Sequence, residues 1–327
     1  MTAAGPGEPD AAVRLAIVGV GHLGSQHARV AASLPGARLV GVHDLHEGRA
    51  EAVAREGGVA VLSGPEEVVA KAQAVVIATP TSSHAELGEF FLERGLDVLL
   101  EKPIASTVPQ ADRLVGLARA RGRILQVGHV ERYNPAVEAM LARVREPLFI
   151  EGHRLAVFTP RSLDVDVVLD LMIHDLEIVL ELVRRPVAEI RAAGVAVLTT
   201  RPDIANARIT FAGGCVANLT ASRVSAERMR KLRVFGSELY CSVDMHSRRV
   251  EAFRLSREPD GPRIVPVEVP VDGGDPLARE LSGFIEAVRR RGEPLVSGEA
   301  GRDALALAEG VLAAMEDHRR GAQGARS

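Results

Sequence analysis

The sequence predicts two domains: a doubly wound parallel α/β domain over residues 12–129, then an α+β domain with an open, mostly antiparallel sheet over residues 130–320. Three observations carry this expectation. Apolar, strand-like runs alternate with helical runs through the first part of the chain, as in a parallel sheet crossed by helices. From Pro147 onward, strand-like runs mostly follow one another across Gly-bearing turns, which is the grammar of an antiparallel sheet. A length of 327 residues also suits two cores of ordinary size better than one.

The elements follow in order. Residues 1–11 are small, acidic and rich in Pro and Gly, and are expected to be disordered. Val13–Val18 is an apolar strand that runs through glycines into an Ala-rich helix. "ARLVGVHD" (37–44) is a second strand, "EGRAEAVAREGG" (47–58) a helix with a Gly stop, and "AQAVVIATP" (72–80) a buried strand. "HAELGEFFLERG" (84–95) is a helix and "DVLLEKP" (97–103) a strand; a helix over Val108–Arg121 and a strand in "RILQVGH" (123–129) complete the domain. In the second domain the strands lie in "PLFIEGHRLAVF", "AEIRAAGVAVLT", "NARITFAGGCVANLTAS", "RKLRVFGSELYCSVDM" and "RRVEAFRLS". "DVDVVLDLMIHDLEIVLELV" (164–183) reads as a helix, as do "DPLARELSGFIEAVRRRG" (275–292) and "GRDALALAEGVLAAMEDHRR" (301–320), and residues 321–327 as a frayed tail.

Composition excludes several functions. A net charge of −3 gives no global pull toward nucleic acid or an anionic membrane. Aromatics at 3%, with no Trp, leave no stacking platform for single-stranded nucleic acid. No apolar run approaches the roughly 20 residues that a membrane span needs, and the N-terminus lacks an apolar signal core. Cys215 and Cys241 show neither a disulfide framework nor metal-ligand spacing, so no metal is expected and a reduced, cytoplasmic setting is.

Gly19, Gly21 and Gly24 spell G-x-G-x-x-G in "VGVGHLGS", between a strand and a helix. The first glycine permits the tight turn, the second lets the backbone approach a pyrophosphate, and the third lets helix and sheet pack closely. His22 and Leu23 open the helix, whose N-terminus favours an anion. Asp44 ends the second strand 20 residues beyond Gly24, where a carboxylate can accept hydrogen bonds from an adenosine ribose. Such an acid repels a 2′-phosphate, and no Arg follows it immediately, so NAD is expected rather than NADP. Later strands end at Thr79, Pro80 and His84, and at Glu101 and Lys102, which places these residues at the cofactor crevice; His84 reads equally well as a cap on the following helix.

Lys102 is one of only three lysines among 40 cationic residues. An ammonium in a partly desolvated crevice can give up its proton, whereas a guanidinium stays charged. Asp170 and His174 stand four apart on the expected helix, so the carboxylate can hold the imidazole tautomer and suit it to general-base work. The alternative reading is a helix-surface Asp/His pair with Asp175 as a solvated neighbour.

Taken in order, the glycine turn, the Glu-Lys-Pro motif and D-x-x-x-H resemble the Gfo/Idh/MocA family of NAD(P)-dependent sugar and cyclitol dehydrogenases, from Val13 to about Arg319. The resemblance implies a Rossmann NAD-binding domain, a homodimer or homotetramer, and a reacting carbinol surrounded by Lys102, Asp170 and His174. "VGHVERYNPAV" and "HRLAVFTPRSLDVDVVLDLMIHDLE" are similar to a subgroup that oxidises C3 of a UDP-linked N-acetylhexosamine, UDP-N-acetylglucosamine. That likeness implies substrate contacts from Arg132, Tyr133, Asn134, Arg154 and Arg161, with Arg223 a further diphosphate donor. Met172 stands where the family often has Gly, which puts the pocket shape in doubt. Two other readings use the same residues: an NAD-dependent glycosidase working by transient oxidation, and a catalytically silent NAD-binding sensor.

Overall fold

The computed structural model describes residues 12–159, 165–259 and 261–324. The expected disordered stretch 1–11 and the last three residues of the expected frayed tail lie outside the described residues. The chain divides into two compact units, Met1–Val130 with Gly274–Arg302, and Glu131–Gly273 with Asp303–Ser327.

The first unit is built on a parallel sheet of β1 (Val13–Val18), β2 (Ala37–His43), β3 (Ala60–Val61), β4 (Ala74–Ile77), β5 (Asp97–Glu101) and β6 (Leu125–Gly128). The order is β3-β2-β1-β4-β5-β6. Strands β4 and β5 are buried along their whole length, as expected when helices cover both faces of a parallel sheet. The connections carry α1 (His22–Ser33), α2 (Glu47–Gly57), α3 (Pro65–Lys71), α4 (His84–Glu93) and α5 (Val108–Arg121). Chain order runs outward from β1 to one edge and from β4 to the other, so the strand order reverses between them. A crevice opens there at the carboxyl ends of the strands.

The second unit opens with α6 (Pro135–Leu141) and β7 (Pro147–Leu155), followed by a π-helical turn over Val168–Met172 that runs into α7 (Ile173–Val183). Its sheet continues with β8 (Val187–Val195), β9 (Ile204–Phe211), β10 (Val216–Ser222), β11 (Met229–Gly236), β12 (Leu239–Asp244), β13 (Arg249–Glu258) and β14 (Gly261–Val267). The order is β14-β13-β12-β11-β7-β10-β9-β8, antiparallel throughout except for the central pair β7 and β10. Gly213 and Gly214, at φ +95° and +90°, turn β9 into β10 in a left-handed conformation that a side chain would resist.

Two helices close the chain, α8 (Pro276–Arg290) and α9 (Gly298–Gly324). Asp275 caps α8, accepting from the N–H groups of Leu277 and Ala278, with Pro276 in the first turn. The sequence predicts α8 in the second domain, yet its apolar stripe of Leu281, Phe284, Ile285 and Val288 packs with Val13, Ile17, Val76 and Leu99 in the core of the first unit. Periodicity reveals an apolar face but not which sheet receives it. Along α9, Ala304, Ala308, Val311 and Met315 join the core of the second unit, and the helix continues to Gly324, beyond the predicted stop at Arg320.

Candidate active site

The glycine turn is shaped by its neighbours. Gly19 has φ +82°, and a Cβ there would lie 2.7 Å from Thr79 Cγ2. A Cβ on Gly24 would fall 1.8 Å from the Gly19 carbonyl oxygen, so α1 can pack against β1 only with glycine at this position. At Gly21, by contrast, the nearest atom to a Cβ would be Arg49 Nη1 at 3.8 Å. Gly21 therefore leaves its backbone open, as a ligand would require. It faces a cavity of about 540 Å³, lined also by Gly19, Asp44, Arg49, Thr79 and Pro80. His22 and Leu23 are not on that lining; their main-chain N–H groups belong to the first turn of α1, which no side chain caps.

Asp44 is held rigidly. Its Oδ2 accepts from the Val20 N–H at 2.9 Å and its Oδ1 from the His46 N–H at 2.8 Å. Arg49, in the first turn of α2, brings Nη2 to 3.5 Å from Oδ1 while its side chain stays 55% exposed. A guanidinium therefore does stand beside the acid, five residues on rather than immediately after it. The glycines, the helix start and the carboxylate suit a dinucleotide: amide groups for a pyrophosphate, and an acceptor for a ribose.

Beyond the cavity, two expected cofactor contacts are turned inward. The ring of His84 is buried, with Nδ1 2.9 Å from the Pro103 carbonyl and Nε2 2.9 Å from that of Thr79. Burial lowers its pKa, outweighing both carbonyls and Glu101. His84 thus ties the Thr79 and Pro103 segments together instead of lining the cavity. Glu101 is buried too, its Oε1 2.7 Å from His27 Nε2 and its Oε2 accepting from the Lys102 N–H at 3.2 Å. Lys102 follows directly at the end of β5, half-buried.

In the second unit, Asp170 lies in the π-helical turn and His174 in the first turn of α7, both half-buried. A π turn interrupts the expected continuous α-helix between them, a distortion common at functional sites. Met172 is fully buried in the hydrophobic core, so the family's glycine position is filled here by core packing and not by a pocket wall.

Three of the expected diphosphate donors, Arg132, Arg154 and Arg223, make contacts within the protein. Arg154, on β7, donates from Nε and Nη2 to Asp175 at 3.0 and 2.7 Å and from Nη1 to Glu131 at 3.0 Å, all three side chains being buried. Asp175 is therefore no solvated neighbour. Burial alone would raise the pKa of Glu131, but the Arg154 charge outweighs it and holds the carboxyl below its ordinary value. Arg132, also buried, donates from Nη1 to Glu177 at 2.7 Å, with Nη2 3.5 Å from Glu181. Burial pushes Glu177 up to about 8 against the pull of Arg132. Asn134 caps α6 and donates to Glu131 and to the Met245 carbonyl; Tyr133 is buried beside it. Arg223 is buried near Asp203 and donates to the Val165 carbonyl. Arg161 lies outside the described residues.

A glycine turn at a helix start, a cavity over the carboxyl ends of β1 and β4, and an acid at the end of β2 define a dinucleotide-binding protein of the Rossmann class. The chain belongs to the Gfo/Idh/MocA oxidoreductases. Residues 13–129 match the model of that family's NAD-binding Rossmann fold and residues 138–240 that of its C-terminal domain. The chain is 38% identical over 307 residues to UDP-N-acetylglucosamine 3-dehydrogenase of Acidithiobacillus ferrooxidans, covering 93% of this chain and 97% of that protein. A solved structure of that enzyme superposes with a TM-score of 0.87 at 37% identity, over 94% of this chain and 98% of the other. The NAD-dependent scyllo-inositol 2-dehydrogenase of Bacillus subtilis is 31% identical over 65% of this chain and 68% of its own length. These relatives are dehydrogenases acting on CH–OH groups, as expected from the motifs. No helix among the described residues is long and apolar enough to cross a membrane.

Proposed function

We propose that this protein oxidises a secondary hydroxyl of a sugar nucleotide, C3 of a UDP-linked N-acetylhexosamine, with NAD as hydride acceptor. The observation that carries the reading is the near full-length likeness to the A. ferrooxidans enzyme. Bound at the glycine turn, the dinucleotide supplies the hydride-accepting ring, and the chain supplies binding and proton handling. His174, with Asp170 four residues before it, takes the hydroxyl proton, and Lys102 stabilises the oxyanion or relays that proton. Asp44 favours a ribose diol, which supports NAD over NADP; Arg49 moderates that preference. The protein works in the cytoplasm as a homodimer or homotetramer.

Incubation with NAD and a panel of UDP-sugars, followed by NADH absorbance, tests the reading. UDP-N-acetylglucosamine should be oxidised and free hexoses should be poor substrates. Equal activity on the free sugar would overturn the substrate assignment. Glycoside cleavage without net NADH would point to the glycosidase, and NAD binding without any turnover to the sensor.

A further inference from the structure

Three ionisable side chains meet inside the first unit, directly under the Lys102 turn. His27 reaches in from α1, Glu101 from the end of β5 and Glu280 from α8, and a ligand-type atom of each lies within 4.8 Å of the other two. Their contacts are unequal. Glu101 accepts from the Lys102 N–H and pairs with His27, while a Cβ on Gly128 of β6 would come within 3.0 Å of the Glu101 carboxyl, so that side is closed as well. Glu280 is 0% exposed, and neither of its carboxyl oxygens has a hydrogen-bond partner among the described residues. Gln126 on β6 donates to the Glu280 main-chain carbonyl at 3.3 Å and not to the side chain.

Two carboxylates this close in an apolar interior cannot both stay ionised. Burial first, and the Glu101 charge second, raise Glu280 well above the ordinary carboxylate range. A protonated carboxyl is a donor, and the acceptor at hand is Glu101.

We propose that His27, Glu101 and Glu280 form a proton-sharing positioning group, in which the Glu280 acid donates to Glu101 and Glu101, gripped from α1 and α8, fixes the main chain at Lys102. None of the three touches substrate; they act through Lys102, and the proposal rests on the role assigned to Lys102 above. Among the described residues, the ionisable groups facing the Glu280 carboxyl are His27 from α1 and Glu101 from β5. When rising pH removes the Glu280 proton, Glu101 loses a donor and gains a repelling neighbour. Turnover should then fall on the alkaline side while affinity for NAD changes little.

Infrared difference spectroscopy of the full-length protein, with and without NAD, provides a readout that needs no substrate. Protonated carboxylic acid absorption should persist well above the ordinary carboxylate range near 4, and the part of it due to Glu280 should vanish in Glu280→Gln, leaving that of Glu177. The second readout is turnover against pH. Glu280→Gln keeps a neutral donor, so it should retain most of the turnover near neutrality and lose the alkaline fall. Glu280→Leu keeps the volume without the donor and should lose on the order of tenfold in turnover with an unchanged KM for NAD. Acid absorption that is the same in the unaltered protein and Glu280→Gln, identical pH profiles for the two, or a stoichiometric divalent metal in the purified protein would each overturn the proposal. If the Glu280 band is present but no sugar nucleotide is oxidised, the shared proton stands while the proposed function, and the positioning role that rests on it, fall.

Discussion

Arg154 grips Asp175 with two prongs, Nε to Oδ2 at 3.0 Å and Nη2 to Oδ1 at 2.7 Å, both side chains shut away from water. The pair fastens β7 to α7 one residue after His174. Arg154→Ala leaves Asp175 and Glu131 buried without their cation, so the second unit should lose about 3–5 kcal/mol of stability. Arg154→Lys should recover only part, because an ammonium cannot match the fork. Chemical unfolding monitored by circular dichroism decides: an unchanged midpoint in Arg154→Ala would contradict a structural role.

The glycine turn separates two kinds of glycine. Gly24→Ala would force a Cβ to 1.8 Å from the Gly19 oxygen, and should cost about 3 kcal/mol or more of stability, measured by thermal unfolding without NAD. Gly21→Ala meets nothing closer than 3.8 Å, so it should unfold as the unaltered protein does and lose NAD affinity instead. Equal NAD affinity for Gly21→Ala and the unaltered protein would place the pyrophosphate elsewhere.

Cofactor choice should divide between Asp44 and Arg49. Asp44→Ala removes the repulsion of a 2′-phosphate and should narrow the gap between NAD and NADP by about tenfold, or 1.4 kcal/mol. Arg49→Ala should widen it by weakening NADP alone. Calorimetric titration with both dinucleotides checks the pair, and a symmetrical loss of NAD and NADP in Arg49→Ala would deny Arg49 any part in the choice.

For Lys102, charge alone should not suffice. Lys102→Arg and Lys102→Ala should both lose on the order of a hundredfold in turnover, since the guanidinium is bulkier and cannot share a proton. NAD affinity should change far less. A Lys102→Arg protein that retained most of its turnover would make this residue structural.

The parallel sheet was legible because β4 and β5, covered on both faces, must be nearly all apolar, and because Gly19 and Gly24 answer a local steric demand that adjoining residues reveal. The arginines were not. Arg154 and Asp175 are 21 residues apart, and Arg132 and Glu177 are 45, so no spacing rule announces that each cation already has a buried partner. An Arg expected to bind a diphosphate looks the same in sequence whether it faces ligand or core. The sequence hides strand β14 because Pro262 and Pro266 demote a strand pattern, and it lies where prolines are tolerated, at the sheet edge. Arg49 carries no signal in sequence because its distance from Asp44 hides the return of α2 toward the end of β2.

Glu177 gives the second unit a pH-dependent stability of known sign. Its folded pKa, near 8, exceeds the ordinary value of 4.5, so its contribution is complete below about 4.5 and is lost as pH rises through 8. Over that window the unaltered protein should lose stability relative to Glu177→Gln by on the order of 1 kcal/mol per pH unit. Unfolding midpoints at several pH values test this, and parallel curves for the two proteins would show that Glu177 is ionised when folded.

Helix α8 has a consequence for how the protein is made. Leu281 and Phe284, which complete the core of the nucleotide-binding unit, are translated about 150 residues after β6, so a nascent chain that has emerged only as far as Val130 has its sheet but not its lid. Until the ribosome has delivered α8, Val13, Ile17 and Leu99 lack part of their covering. A gene cut after Val130 would encode an open half-core prone to aggregation, and a faithful excision of this unit needs residues 274–302 stitched back to it.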